Sequence, residues 1–427
     1  MAHKAGANRQ LMFGFALTRR TTAGFVVRIL SSGIMGIVAL SACASLRAAA
    51  PAPLVRSAAG KPDPDAMLIA IYKDLASNNL RAAQGKADAL VEAYPNFSLG
   101  QLIRGDLLLM HGRPIAGLGS GSNGNAERLA DLREEAMVRL KSLRERPDPD
   151  LIPRAFLKLR DDQRIALVVD ARRSRLYVYQ HLHGQLKLLT DYYITQGKLG
   201  INKIKEGDQK TPIGVYYITS HLARSRLPDF YGAGALPINY PNEWDRVNGR
   251  SGSGIWLHGT PSGSYSRPPL ASDGCVVLTN PDLEKLFASV EVGRTPVVIA
   301  EQVEFVNRKT WAGEREAADS LLEAWRHDLE SLNPTRFVNN YSVNFKSGLG
   351  EDLSAWIAKH QQAVAGVKAI AIKLQDVTMF AYPGRNDLIV STFTQEGSFD
   401  KRHFQTRTRQ YWQKEGKAWK IVYEGNL

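Results

Sequence analysis

Two short segments of the chain carry residue types that could build a cysteine nucleophile. His258 ends the apolar run Ile255-Trp256-Leu257, which predicts a strand, and Cys275 follows Gly274 in a turn that leads into a second apolar run. A thiol becomes a good nucleophile when a nearby imidazole takes its proton, and glycine allows backbone amides to approach closely enough to form an oxyanion pocket. The pattern therefore predicts a catalytic pair. For two isolated residues, the alternative is a core histidine and a buried thiol that are near each other by chance.

The residues around this pair have predicted supporting roles. We expect the backbone amides near Gly274 and Cys275, with the Ser272 hydroxyl, to bind an oxyanion. Gly259 and Asp273 are predicted to orient the donors or the reacting groups. The candidates for contact with a substrate are Tyr240, Thr260 and Trp244, with Tyr231 as a further groove-lining residue; for the Trp244 and Tyr231 rings, packing against the sheet is the alternative.

The cysteine segment resembles the catalytic domain of the L,D-transpeptidases, the YkuD-type family. That family's pattern is a histidine, a gap of a dozen or more residues, and then Ser/Thr-x-Gly-Cys followed by an apolar residue. The resemblance extends to the Thr-Pro-x-Gly motif within Lys210–Tyr216, to Asn239-Tyr240-Pro241-Asn242, and to the opening strand Ile165–Asp170. These ordered matches cover about residues 163–300, and they imply a mostly-β domain that acts on peptidoglycan stem peptides.

Two positions depart from the family pattern. Asp273 stands where many members carry histidine, and Val277 stands where many carry arginine or asparagine. A carboxylate cannot replace an imidazole base near neutral pH without a large rise in its pKa. Val277 lacks a polar side chain that could hold a substrate carboxylate. The chemistry is therefore expected to persist, whereas the substrate preference is open.

The resemblance implies attack of Cys275 on the L,D bond of a tetrapeptide stem, with a thioester intermediate that passes its acyl group to an amine acceptor. The alternatives are an L,D-carboxypeptidase that trims tetrapeptide to tripeptide, as in cell-shape enzymes, and a wall-binding lipoprotein without catalysis. A protein-cleaving cysteine protease is disfavoured, because these motifs are foreign to those families. No metal or cofactor is implied, since the histidines lack ligand spacing and one cysteine cannot supply a zinc site.

The N-terminal residues predict export. A basic segment precedes the apolar run Ile29–Ala42, which is short for a bilayer span and is typical of a signal peptide. Leu40-Ser41-Ala42-Cys43 matches a bacterial lipobox, so we expect cleavage before Cys43, acylation of its thiol and a periplasmic, membrane-anchored lipoprotein. An unlipidated signal cut after Ala48-Ala49-Ala50 is the alternative, and translation beginning at Met12 fits the long basic segment. The chain has two cysteines, which leaves Cys275 free of a disulfide in this interpretation.

The charge balance argues against a nucleic-acid partner. The net charge of +13 includes eight basic residues that precede Asp63, the first acidic residue, so the remainder of the chain carries +5. No basic stripe with interleaved aromatic residues is present. A mildly basic mature protein suits an anionic polymer such as cell-wall glycan peptide.

Periodicity predicts a multidomain chain. Residues 1–50 are the predicted signal peptide, 51–62 a Pro/Ala linker, 63–150 a helical domain, 160–302 the catalytic domain and 312–427 an α+β domain. The helical domain is expected to be a bundle that packs on the catalytic domain or on a second subunit, which makes a homodimer possible; a partner-recognition module is the alternative. Residues 220–253 form a long stretch with little strand character beyond Asn239-Tyr240.

The C-terminal pattern predicts two helices followed by an antiparallel meander. The strands are expected at Ala369–Leu374, Val377–Ala381, Leu388–Thr394, Thr406–Gln413 and Ala418–Glu424, with a hairpin at Glu415-Gly416. The ending Tyr411–Ile421 resembles the NTF2-like cone fold, which often holds a ligand pocket. His403 and Arg407 are candidates to face such a pocket, and a solvated strand face is the preferred interpretation for both. The domain order is similar to that of the cell-shape L,D-carboxypeptidases.

Overall fold

The computed structural model describes residues 62–121, 124–400 and 402–427. The predicted signal peptide, the lipidation site Cys43 and nearly all of the predicted linker 51–62 lie outside these ranges. Within them, no helix combines the length and apolar character needed to cross a membrane.

The N-terminal described residues form helices whose starts follow the capping rules. Asp63, Asn79 and Asn125 each accept a hydrogen bond from a backbone N–H of the first turn, which satisfies a donor that the helix itself leaves unpaired. Most residues of the apolar stripes predicted for the first three helices are buried, and the others are half-buried. The helices are α1 (Pro64–Ala76), α2 (Leu80–Ala93), α3 (Ser98–Met110) and α4 (Ala126–Arg144).

Helix α4 departs from its predicted apolar stripe. Leu132, Leu140 and Leu143 are only half-buried, whereas Glu135 and Arg139 are 1% and 2% exposed. Arg139 can be buried because its guanidinium pairs with Asp65 at 2.5 Å and with Glu135 at 2.9 Å. Buried charges need such partners, so the inward face of α4 is set by ion pairing as well as by hydrophobic periodicity.

The middle of the chain is mostly β, as predicted. The elements are β1 (Ile152–Pro153), β2 (Phe156–Lys158), β3 (Ile165–Asp170), β4 (Arg175–Leu182), β5 (Gln185–Tyr193), β6 (Gln196–Gly197), β7 (Gly214–Tyr217), β8 (Leu222–Ala223), β9 (Gly234–Pro237), α5 (Glu243–Val247), β10 (Trp256–His258), β11 (Leu270–Ser272), β12 (Val276–Val277), α6 (Asn280–Ser289), β13 (Pro296–Ala300) and β14 (Phe305–Val306). One sheet has the strand order β5–β4–β3–β13–β7, a second has the order β12–β10–β9–β8, and β11 pairs with β6. A core of aliphatic side chains from Leu167, Leu257 and Leu286, among others, fills the space between the two larger sheets.

Residues 220–253 differ from their prediction. Strand β9 and helix α5 lie in this stretch, whereas Asn239 and Tyr240 belong to neither. The Asn239 side chain instead accepts a hydrogen bond from the Tyr217 backbone N–H at 2.7 Å. The polar side chain thus serves a turn beside the sheet, which strand periodicity alone does not reveal.

The C-terminal residues form helices packed against a long curved sheet. The predicted helices and the hairpin at Glu415-Gly416 are present, and the predicted strands 388–394, 406–413 and 418–424 are each extended. The two strands predicted at 369–374 and 377–381 are one strand with a bulge, in which Asp376 adopts a positive φ of 52°. The elements are α7 (Arg308–Glu330), α8 (Pro334–Val338), β15 (Tyr341–Ser347), α9 (Leu353–Val364), β16 (Ile370–Ala381), β17 (Leu388–Phe399), β18 (Arg402–Glu415) and β19 (Ala418–Asn426). The strand order of the sheet is β15–β19–β18–β17–β16–β2.

The catalytic and C-terminal sheets share a buried interface. Strand β2, which precedes the catalytic sheet in the chain, pairs with β16 of the C-terminal sheet. Trp244 stacks on Tyr411 with ring centroids 4.7 Å apart and planes at 13°. Arg409 Nη1 donates to both carboxylate oxygens of Glu243, at 3.0 and 2.9 Å. Hydrogen bonds between charged groups are stronger than neutral ones, so this ion pair and the stacked rings join the two parts.

The C-terminal cone encloses a cavity of about 710 Å³. Its lining includes Tyr341, His360 and Glu424. His403 and Arg407 are exposed instead, in agreement with the preferred interpretation of a solvated strand face.

Glu424 makes folding stability depend on pH. Its carboxylate accepts hydrogen bonds from the Tyr341 hydroxyl at 3.0 Å and from Gln410 Nε2 at 2.9 Å, and burial raises its pKa to about 7. Between its unfolded pKa near 4.5 and about 7, the folded state binds a proton that the unfolded state lacks. This contribution to stability is therefore fully present below pH 4.5 and is lost as the pH rises through 7.

We expect Glu424→Gln, which keeps the shape and removes the charge, to raise the free energy of unfolding at pH 8 by about 1–3 kcal/mol relative to wild type, and to change it much less at pH 5. Denaturant titration at the two pH values measures this. Glu301→Gln, a substitution at an exposed carboxyl, should change the free energy of unfolding by the same amount at both pH values. An equal effect of Glu424→Gln at pH 5 and pH 8 would contradict the assignment.

Candidate active site

The parallel pairing of β10 with β12 brings the two predicted catalytic residues together. Leu257 is paired with Val276, and His258 is paired with Val277. Paired residues of parallel strands point to the same face, and side chains two positions apart on one strand also share a face. Cys275 lies two positions before Val277, so its thiol lies on the same face as the His258 imidazole.

The turn that carries Cys275 is held by the Thr-Pro-x-Gly segment. Gly274 has a φ of 126°, and a Cβ on it would lie 2.7 Å from the Lys210 carbonyl oxygen, so no other residue fits here. The buried Thr211 hydroxyl donates to the Gly274 carbonyl at 2.9 Å and accepts from the Gly197 N–H at 3.0 Å. The motif thus fixes the backbone immediately before the nucleophile.

Ser272 and Gly274 make hydrogen bonds within the nucleophile turn. The Ser272 hydroxyl donates to the Cys275 carbonyl at 2.6 Å and accepts from the Gly274 N–H at 3.2 Å. A hydroxyl has one proton to donate, so this one is used within the turn. Both groups therefore stabilise the nucleophile turn in this conformation, and the role of Ser272 and the Gly274 amide as oxyanion donors stays a prediction.

The Cys275 thiol is protonated in the resting site. It is half-buried, and its Sγ donates to the Gly254 carbonyl at 3.3 Å. Burial raises its pKa to about 11, against the smaller opposing influences of the Trp256 backbone N–H and the positive charges of Arg267 and Lys203. Removal of the proton consequently requires a base when the substrate reacts.

The His258 imidazole is available as that base. It is 1% exposed, and burial lowers its pKa to about 4, so it is neutral at pH 7. Its Nδ1 lies 2.7 Å from the Gly259 carbonyl oxygen, which can only accept a hydrogen bond. Nδ1 therefore carries the hydrogen, and Nε2 has the free lone pair. The pair is a thiol beside a neutral imidazole, not a thiolate–imidazolium ion pair.

Aromatic residues from the 220–253 stretch cover the histidine. Tyr231 meets the His258 ring edge-on, with centroids 5.1 Å apart, and also contacts Trp256 at 4.9 Å. Phe230 lies 5.7 Å from His258 and is 48% exposed. Tyr231, predicted as a groove-lining candidate, therefore lies at the site, whereas Phe230 was missed because nothing in its spacing distinguishes it from other loop aromatics.

Gly259 and Asp273 lie beside the pair. A Cβ on Gly259 would come within 2.1 Å of Asn280 Oδ1, which accepts from the Ala233 N–H at 2.8 Å. Gly259 is thus required by close packing, and its carbonyl orients His258. Asp273 is exposed next to the nucleophile turn and accepts from Lys198 Nζ at 3.1 Å and Gln209 Nε2 at 2.9 Å.

The predicted substrate contacts Tyr240, Thr260 and Trp244 are buried within the fold. Trp244 is buried against Tyr411 in the interface described above. Tyr240 is 6% exposed and donates to the Ser251 carbonyl at 3.0 Å, and Thr260 is 1% exposed and donates to the Ser264 carbonyl at 2.9 Å. The polar atoms of Tyr240 and Thr260 already have partners within the fold, and contact of these three residues with a substrate stays a prediction.

The helical region packs on the catalytic domain at the loop that joins His258 to Cys275, as the bundle interpretation allowed. The Tyr265 ring lies between Tyr94 and Phe97, with centroids 4.8 and 4.9 Å away. Ser266 donates to the buried Glu135 at 2.7 Å. The backbone of Arg267 is fixed in turn, because its carbonyl accepts from the Tyr193 hydroxyl at 2.9 Å and from Thr195 Oγ1 at 3.0 Å.

Comparison with known families agrees with this geometry. Residues 164–299 match the L,D-transpeptidase catalytic domain (YkuD), and residues 317–425 match the C-terminal NTF2-like domain of Cds6. The predicted fold class, with a helical N-terminal region, a mostly-β YkuD-like domain and an NTF2-like domain, is confirmed.

Individual relatives are 22–29% identical to the chain. The chain is 29% identical over 116 residues to YafK of Escherichia coli (strain K12), which carries a provisional L,D-transpeptidase name; the match spans 27% of this chain and 42% of the relative's length. The structure of Bd1075 from Bdellovibrio bacteriovorus is 27% identical, with a TM-score of 0.58, over 65% of this chain and 98% of that one. Pgp2 of Campylobacter jejuni, a helical cell shape determining protein, has the same fold at 22% identity, with a TM-score of 0.53, over 66% of this chain and 97% of its own.

The neutral thiol predicts a particular dependence of alkylation on pH. Iodoacetamide reacts with the thiolate, so the rate at Cys275 should rise about tenfold per pH unit between pH 7 and 9. At pH 7 it should be roughly 100-fold slower than for an unperturbed thiol such as that of glutathione. Peptide mass spectrometry resolves the rate at this cysteine. A plateau already reached below pH 8 would instead indicate a preformed thiolate–imidazolium pair.

Proposed function

We propose that this protein is a peptidoglycan-modifying cysteine enzyme with L,D-transpeptidase chemistry. It attacks the L,D bond of a tetrapeptide stem and passes the acyl group to an amine acceptor. The observation that carries the proposal is the β10–β12 pairing, which sets Cys275 and His258 on one face within a domain that matches the L,D-transpeptidase catalytic family.

In the proposed mechanism, His258 Nε2 takes the thiol proton as Cys275 Sγ attacks the scissile carbonyl carbon. The backbone N–H of Cys275 is the donor that we assign to the oxyanion, since the neighbouring Gly274 N–H is occupied by Ser272. The imidazolium then protonates the departing amine of the terminal D-amino acid, which leaves a thioester on Cys275. An incoming amine attacks the thioester, His258 removes the proton of that amine, and the thiolate leaves to be protonated again.

A second candidate is L,D-carboxypeptidation, in which water resolves the thioester and tetrapeptide becomes tripeptide. The fold shared with Pgp2, which is named for cell shape, and with Bd1075 over nearly the whole of both proteins favours it. The substrate, peptidoglycan stem peptide, is the same in both candidates. A wall-binding role without catalysis is the further alternative, and covalent acylation of Cys275 by a carbapenem separates it from both enzymes.

We expect Cys275→Ala to abolish turnover of purified disaccharide tetrapeptide and His258→Ala to lower it at least 100-fold at pH 7, because a thiol without its base stays protonated. Mass spectrometry of the products separates the two reactions: 3→3 cross-linked dimer indicates transpeptidation, and tripeptide alone indicates trimming.

Arg226→Gln, a change at an exposed residue, is the control and should keep the wild-type rate. More than a few per cent of wild-type turnover in folded Cys275→Ala would refute the assignment of the nucleophile. A near-normal rate of His258→Ala at pH 7 would show that a different group is the base.

For the location, we propose an exported lipoprotein anchored through Cys43 in the bacterial envelope, on the basis of the Leu40-Ser41-Ala42-Cys43 sequence. Mass spectrometry of the mature N-terminus should find acylated Cys43 as its first residue. A free amino terminus beyond residue 43, without acyl mass, contradicts the anchor and supports the alternative cleavage after 48–50.

A further inference from the structure

Arg267 is a cation at the edge of the active site, and its guanidinium lies over the ring of Phe230. Its guanidinium carbon lies 4.6 Å from the centre of the Phe230 ring, and that ring is 5.7 Å from the His258 ring. The guanidinium therefore lies no farther than about 10 Å from the imidazole centre. Within the described ranges, no carboxylate lies within 4.0 Å of this guanidinium and no hydrogen bond is made by its side chain.

Two other cations near Cys275, Lys203 and Lys198, are already paired. Lys203 is buried and donates to Asp208 at 2.8 Å, and Lys198 donates to Asp273 at 3.1 Å. Val277, at the position where a polar side chain could hold a substrate carboxylate, is 2% exposed and apolar. Arg267 is thus the cation of this site whose donors are available to a ligand.

The surroundings of Arg267 favour an anionic ligand. The guanidinium is partly desolvated, and burial lowers its pKa, so the charged form lacks some of the stabilisation that it has in water. A carboxylate restores that stabilisation through two parallel N–H···O bonds, which match the planar guanidinium. The backbone of Arg267 is fixed through its carbonyl by Tyr193 and Thr195, so its Cα is held in place before a ligand arrives.

We infer that Arg267 binds the free α-carboxylate of the terminal D-amino acid of the stem peptide, and that it thereby selects stems whose D-residue ends the chain. This inference rests on the proposed function. One residue spans about 3.5 Å between the scissile carbonyl and the terminal carboxylate, and a guanidinium–carboxylate pair adds about 4 Å. Their sum lies within the upper bound of about 10 Å between the Arg267 guanidinium and the His258 ring. Arg267 is a specificity residue and takes no part in bond breaking.

The test compares two substrates that differ in one charge. Disaccharide tetrapeptide with a free terminal carboxylate and the same molecule with a terminal D-alaninamide are assayed with the full chain. We expect wild type to prefer the acid roughly 100-fold in kcat/KM, since a charged bidentate contact is lost with the amide. Arg267→Gln should raise KM for the acid by a similar factor, change kcat only a few-fold and bring the acid/amide ratio near one.

Matched variants separate charge from structure. Arg267→Lys, which keeps the charge and loses the fork, should retain about a tenfold preference for the acid. Arg226→Gln, the loss of an exposed charge in the same loop as Phe230, should leave the ratio as in wild type. Any effect of Arg267 on the Cys275 thiol acts on both substrates alike and cancels in the ratio.

The outcomes distinguish this inference from the function on which it rests. If wild type converts neither substrate, the proposed function fails. If wild type converts the acid and Arg267→Gln keeps the wild-type ratio, the inference about Arg267 is overturned and the function stands. Should Arg267→Gln not fold, as judged by circular dichroism, the wild-type comparison decides, because equal kcat/KM for acid and amide also overturns the inference.

Discussion

The arrangement of the site depends on the backbone pairing of a two-residue strand. Val277 exchanges hydrogen bonds with Thr195 at 2.8 and 2.9 Å on one side, and the Leu278 N–H donates to the His258 carbonyl at 2.8 Å on the other. The strand that follows Cys275 is thus held in a ladder that also contains the catalytic histidine. Because a strand register cannot shift by one residue without turning every side chain to the other face, this pairing fixes the face on which thiol and imidazole lie.

The helical region contributes to the same site from far away in sequence. Arg139 lies 3.8 Å over the Tyr193 ring, pairs with Asp65 and Glu135, and Glu135 in turn accepts from Ser266. Removing one member of such a buried network leaves an uncompensated charge, which typically costs about 3–5 kcal/mol. The network therefore favours one position of the loop that carries Arg267.

How much of the fold and of the site the sequence could predict depends on whether the interactions are local or join residues that are distant in the chain. His258 and Cys275 were predicted because a strand, a glycine turn and a thiol are local features with a chemical meaning, and the strand of residues 165–170 was predicted with its observed bounds. The structural contacts of Ser272, Thr260 and Trp244 were not predicted, because the partner of a hydroxyl or an indole is decided by tertiary contacts. Arg267 was missed for the same reason, because its role is inferred from its position near Phe230 and the catalytic pair. The spacing of residues in the sequence does not reveal that position.

Burial of the catalytic pair determines how the chemistry must proceed. With a thiol pKa of about 11 and an imidazole pKa of about 4, transfer of the proton in the resting site would create two charges that the site does not stabilise. Transfer becomes favourable when the negative charge passes on to the carbonyl oxygen of the bound stem, where a backbone N–H can receive it. In the proposed mechanism, a thiol that is unreactive until a stem occupies the site is protected from other electrophiles. Phe230 and Tyr231 lie against the His258 ring, so under the same proposal the acceptor that reaches Cys275 past these rings decides between cross-linking and trimming.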